Sequence, residues 1–154
     1  MASRRRGRPA DLLGRVWWLP LVPLGLLTDR GSRRRWLLTP GIVVMAAFAS
    51  SIAKLAIRRP RPGSSYRLVP WGRLKPAGFP STHSACAFAI AGWLRASGHS
   101  RRLHVVAIWI ACWRVRRRAH TVPDVVAGAI LGYGVVWRLE RAWGRSTGAR
   151  REVA

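Results

Sequence analysis

Acidic residues are almost missing from this sequence. Five Asp and Glu stand against 28 Lys and Arg, a formal net charge of +23 over 154 residues. Between Asp29 and Glu140 the only carboxylate is Asp124. Cysteine is also scarce. Cys86 and Cys112 both fall inside apolar runs with no Cys-x-x-Cys, which leaves a disulfide framework or thiolate metal site without support and reads them as small buried membrane residues. No internal repeat and no long low-complexity tract interrupts the chain. No small-x-small cleavage site follows Leu27, so no cleavable signal peptide is expected.

What is present is apolar surface interleaved with arginine. Hydrophobic residues make up 49% of the chain, and there are nine Trp. A charge of this size first suggests a nucleic-acid binder. The distribution argues against one, because arginines cluster between apolar runs: Arg4–Arg8, Asp29–Trp36, Arg58–Pro62 and Arg114–Arg118. Apolar runs flanked by Arg, with Trp near their ends, are the pattern of a multi-spanning membrane protein. The expected fold is all-α, a transmembrane helix bundle of four or five membrane segments. A basic tail and a short Pro-containing segment occupy residues 1–35, the bundle 36–140 and a basic tail 141–154.

The strongest span is Trp36–Ile57, close to the ~20 residues that cross a bilayer core. Ser81–Ala96, Leu103–Trp113 with some extension, and Thr121–Leu139 are shorter, and tilt or snorkelling would have to accommodate them. Leu12–Leu27 carries Pro20 and Pro23 and either crosses or re-enters. If it re-enters, the span order collects the larger arginine set on one side of the membrane and the loops Arg58–Pro80 and Arg114–His120 on the other. Those two loops are basic too, against the positive-inside tendency, and this exception hints at a site for anions.

Polar residues at the span ends sharpen the hint. Lys54 lies near the end of the first span, where snorkelling alone would explain it. Pro80, Ser81, Thr82 and His83 open an apolar run; Ser or Thr there signals a helix N-cap, and a helix start offers free N–H groups to a phosphate. Asp124 follows His120 by four residues, within reach of a ring N–H, and such a carboxylate fixes the tautomer and frees the other nitrogen. The bland alternative is a helix-start Asp beside a surface His. His83, His120 and Asp124 are legitimate metal ligands, but no second carboxylate accompanies them. The guanidiniums of Arg114 and Arg116–Arg118 favour an oxyanion over a cation.

With its three clusters assembled, the sequence resembles the type 2 phosphatidic acid phosphatase family, in the superfamily that includes the vanadium haloperoxidases. The family motif K-x6-R-P matches at Lys54, Arg61 and Pro62. P-S-G-H matches at Pro80, Ser81 and His83, with Thr82 in place of Gly. S-R-x5-H-x3-D matches at Arg114, His120 and Asp124, with Trp113 in place of Ser. The resemblance implies an integral-membrane lipid phosphatase with no cofactor and no metal. His120 would be the nucleophile, Asp124 its orienting carboxylate, and His83 the general acid and then base. Lys54, Arg61, Arg114 and Ser81, with the N–H groups of Ser81 to His83 (Thr82 included), would bind the phosphoryl oxygens. The implied partners are a lipid phosphate or diphosphate, with a polyprenyl-linked one favoured, and the membrane lipids, with no nucleic acid. The Arg- and Ala-rich composition associates with a bacterial plasma membrane, and the charge asymmetry turns the site outward. The competing reading is a non-enzymatic membrane subunit that binds anionic lipid through its arginine clusters, for which His83, His120 and Asp124 would be dispensable.

Overall fold

The computed structural model describes residues 18–57 and 78–151, with side chains to residue 143. Helices account for the architecture, and no strand occurs among the described residues. In chain order they are α1 (Leu21–Thr28), α2 (Arg33–Ile57), α3 (Thr82–Trp93), α4 (Ser100–Arg116) and α5 (Val122–Arg151), with a 3-10 turn at Arg30–Ser32. The side chain of Asp29 caps that turn by accepting from the Ser32 N–H.

Two helical stretches, Arg30–Ile57 and Val122–Trp143, are long and apolar enough to cross a membrane. Among the described residues these are two, so length and composition alone do not give the expected count of four or five. The expected span Ser81–Ala96 forms a helix of only 12 residues, roughly 18 Å against a ~30 Å hydrocarbon core. It is the centre of the bundle. α3 packs against α2, α4 and α5, and nine of its residues are buried, which explains an apolar run without amphipathic periodicity. Of Leu12–Leu27, the described part supplies all but the last residue of the eight-residue α1, a helix about 12 Å long; residues 12–17 lie outside the described region.

The core is apolar, with Trp36, Ile42, Val43, Ile90, Leu94 and Val136 buried, and the outer face is apolar as well. The interior holds small residues such as Ala46, Ala85, Ala89 and Ala91, together with buried Thr39, Ser50, Ser81, Ser84, His120 and Asp124. Large apolar side chains face outward: Leu37, Val44, Phe48, Ile52 and Leu55 on α2, Ile108 and Trp109 on α4, and Val126, Ile130 and Trp137 on α5. Apolar surface on this scale is not what a soluble monomer leaves open to water.

Close packing of α3 on α5 follows from Gly128 and Gly132 on α5. A Cβ at Gly128 would stand 2.5 Å from the Ser81 carbonyl oxygen, and one at Gly132 would strike the Ala85 carbonyl and lie 2.9 Å from the Ala89 nitrogen. Gly-x-x-x-Gly set against Ala-x-x-x-Ala lets two backbones touch. At the far end of the bundle, α2 and α3 exchange bonds: Trp93 Nε1 donates to the Arg35 carbonyl at 2.8 Å, and Arg35 Nη1 donates to the Trp93 carbonyl at 2.6 Å. The two cysteines part company. Cys86 is buried with its Sγ 3.7 Å from the Val43 carbonyl, whereas Cys112 is exposed rather than buried.

Candidate active site

The C-terminus of α2, the N-terminus of α3, the C-terminus of α4 and the N-terminus of α5 meet at one end of the bundle. Lys54 stands in the last turn of α2, and its ammonium donates to Thr82 Oγ1. The same hydroxyl lies 2.9 Å from Ser50 Oγ. Ser50 and Lys54 are four residues apart and share a face of α2, so Thr82 is gripped by two side chains of one helix. Ser50 is fully buried.

Ser81 caps α3, accepting from the Ser84 N–H at 3.5 Å and the Ser84 hydroxyl at 3.2 Å. Its own N–H donates to the Asp124 carbonyl at 2.9 Å, which ties the start of α3 to the first turn of α5. His83 sits half-buried in that first turn of α3, where the N–H groups of a helix start have no intrahelical acceptor.

Asp124 has a local task that its spacing from His120 concealed. Its Oδ2 accepts from the Thr121 N–H at 2.7 Å, while the Asp124 N–H donates to the Thr121 carbonyl at 3.1 Å. This is the carboxylate half of a capping box, Thr-x-x-Asp, at the start of α5; the Thr121 hydroxyl does not return the bond to the Asp124 N–H. Pro123 falls in the first turn, where a missing N–H costs nothing. His120 therefore precedes the helix rather than sharing its face. Its Nδ1 is 3.7 Å from the same Asp124 Oδ2, and both side chains are almost fully buried. The carboxylate thus has its shorter bond to the backbone and faces Nδ1 at ion-pair distance, with Nε2 on the other side of the ring.

The turn before His120 is set by Arg118, whose φ of +51° is in the left-handed region. A non-glycine residue there costs about 1–2 kcal/mol. The reversal returns the Ala119 and His120 N–H groups to the Arg114 carbonyl at 3.1 and 3.3 Å, so Arg114, at the end of α4, is fixed relative to His120. Contacts therefore run from Lys54 to Thr82 and from Ser81 through Asp124 and His120 to Arg114, with His83 beside Thr82. Arg61, Pro62 and most of the Arg58–Pro80 loop lie outside the described residues. Sequence reasoning missed Ser50, Ser84 and Thr121, although Thr-x-x-Asp at 121–124 was a readable capping signal.

An ammonium, a helix start and a carboxylate-facing imidazole at one place suit an oxyanion and a reaction at an imidazole nitrogen. No curated protein and no solved structure matches this chain at a significant level. One family model does match, that of the PAP2 superfamily, over residues 36–147. That interval contains every residue of the arrangement just described and more than two thirds of the chain. The chain accordingly belongs to the PAP2 superfamily, the lipid phosphatase superfamily, and is a phosphatase.

Proposed function

We propose that the protein is an integral membrane enzyme that hydrolyses a lipid phosphate or diphosphate, a polyprenyl-linked one in preference, through a phosphohistidine and without a metal. The observation that carries this reading is the run of contacts joining Lys54, Thr82, Ser81, Asp124 and His120 across three helices. His120 Nε2 attacks phosphorus, because Nδ1 is the nitrogen turned to Asp124. The bond from phosphorus to the leaving oxygen breaks, and His83 gives that oxygen its proton. His83 then takes a proton from water, whose oxygen displaces His120 and releases phosphate. Lys54, Arg61 and Arg114, with Ser81 and the N–H groups at the start of α3, hold the phosphoryl oxygens. Charge stabilisation of this kind is the main demand of phosphoryl transfer.

Membrane integration is part of the proposal. The outward face of large apolar residues supports it, as do the two stretches of spanning length, fewer than a third of whose most apolar windows is buried inside the bundle. In this arrangement α4 completes the bundle across the bilayer, α1 belongs to the further segment of a four- or five-segment protein, and α3 lies shielded at the centre. The basic tail and short Pro-containing membrane segment of residues 1–35 stand on one side of the bundle in the chain and the basic tail 141–154 on the other, and the catalytic end faces outward from a bacterial plasma membrane.

The decisive assay is phosphate release from lipid phosphates by protein extracted from membranes with detergent. Release should persist in EDTA and be inhibited by vanadate; in sealed right-side-out vesicles, vanadate added outside should suffice. A requirement for a divalent metal would overturn the mechanism, and recovery of the chain in an alkaline carbonate supernatant would overturn membrane integration.

Ser50 supplies a finer expectation. Ser50→Ala removes a buried partner of Thr82 and loosens the hydroxyl that holds Lys54, a hydrogen bond of about 1 kcal/mol. KM for the lipid phosphate should rise about fivefold, with kcat nearly unchanged, and Ser50→Thr should recover part of the loss. An unchanged KM would show that Lys54 is positioned without this contact.

A further inference from the structure

The end of the bundle away from His120 contains a second basic site that phosphoryl transfer leaves unused. Arg34 and Arg35 at the start of α2, Trp93 and Arg95 at the end of α3, and Glu140 and Trp143 on α5 surround a half-open cavity of about 340 Å³ with Leu38 in its wall. That is within the size range of small-ligand pockets. Glu140 is the one carboxylate in the lining, and it is already shared: Arg35 Nη1 lies 3.1 Å from Oε1 and Arg95 Nη1 lies 2.6 Å from Oε2. Three guanidiniums thus face one carboxylate, so positive charge is left over. Arg34 contributes from above the Trp143 ring, 4.4 Å from its centre. With five acidic residues against 28 basic ones, the chain has little anionic charge of its own to offer this cavity.

We infer that this cavity binds the headgroup phosphate of an anionic phospholipid, in the leaflet opposite the catalytic end. The inference rests on the membrane-integral reading above. Three spatially adjacent helices reach the cavity at the ends of their apolar stretches, the level at which Trp and Arg meet lipid headgroups. Guanidiniums suit phosphate, presenting paired donors. The argument for a lipid over free phosphate is the strip that leads away from the cavity. Leu38, Met45 and Ile52 recur every seven residues along one face of α2, and all three are exposed. An acyl chain can lie along that strip while its phosphate occupies the cavity.

The test is binding, read without catalysis. Delipidated protein in detergent is titrated with phosphatidylglycerol or phosphatidylcholine, and adducts are counted by native mass spectrometry. Arg34→Gln with Arg95→Gln should weaken phosphatidylglycerol binding about tenfold to thirtyfold and leave phosphatidylcholine unaffected. Arg101→Gln with Arg102→Gln, exposed in the first turn of α4 and outside the cavity lining, should change neither. Millimolar inorganic phosphate should not displace the lipid. Arg34→Gln alone leaves both Glu140 ion pairs in place and should give about a fivefold loss; it carries the test if the double variant loses helicity. Equal binding in wild type and variants, an equal loss in the control pair, or displacement by phosphate would each overturn the inference. Phosphate release measured on the same samples reports separately on the catalytic end.

Discussion

His120→Ala should abolish phosphate release, with a fall of about 10⁴-fold or more in kcat. The ring it removes is 3.7 Å from Asp124 at Nδ1 and almost fully buried, so no neighbouring side chain takes over the attack. Rapid acid-free quenching of wild type with ³²P-labelled substrate should leave a phosphoryl label on the protein that survives alkali and is lost in acid, as expected of a phosphoramidate. His120→Ala should carry no such label, while His83→Ala should form it slowly and lose it slowly, because His83 serves both steps. Undiminished turnover in His120→Ala would remove the nucleophile assignment and favour a lipid-binding role for the arginine clusters. The variant leaves the Thr121–Asp124 cap intact, so loss of α5 would not be the explanation for lost activity.

Gly132→Val should cost the protein both its stability and its activity, although it touches none of the reacting groups. Its new side chain would enter the space of the Ala85 carbonyl and the Ala89 nitrogen. Those are backbone atoms of α3 and cannot rotate away, so the two helices must separate. Overpacking of an ordinary core costs about 1–3 kcal/mol, and a clash between backbones belongs at or beyond the upper end. Separation also pulls the Ser81 N–H from the Asp124 carbonyl, which are 2.9 Å apart. The measurements are thermal unfolding in detergent, where a fall of several degrees is expected, and phosphate release, where a loss of more than tenfold is expected from misplaced groups. Wild-type stability in Gly132→Val would mean that α3 and α5 tolerate a wider spacing. Gly134→Ala is the matched control, since a Cβ there meets nothing within 4 Å.

The sequence was most informative where chemistry depends on helix ends. Ser81 was readable as an N-cap, and the structure has it capping α3. Lys54, His83, Arg114 and Asp124 were each readable as polar residues beside apolar runs, and their shared end of the bundle follows from helix order. The lengths were less legible. An apolar run such as Ser81–Ala96 reads alike whether lipid or protein surrounds it, and only packing from three sides marks α3 as an interior helix. The His120–Asp124 spacing pointed to the carboxylate's approach to a ring nitrogen, and Oδ2 is 3.7 Å from Nδ1; it did not reveal that the helix begins after His120 and that the carboxylate bonds first to the Thr121 backbone.

By itself the sequence determined which groups are available and that they stand at helix ends, because caps, apolar runs and motif spacings are local properties of the chain. Only the tertiary structure decided which of them touch. Ser50 and Thr82 are 32 positions apart, and Arg35 and Glu140 are 105 apart. Such contacts depend on how closely and at what rotation the helices approach. That approach is set by small residues on α3 and α5, whose effect appears only when both backbones occupy the same space.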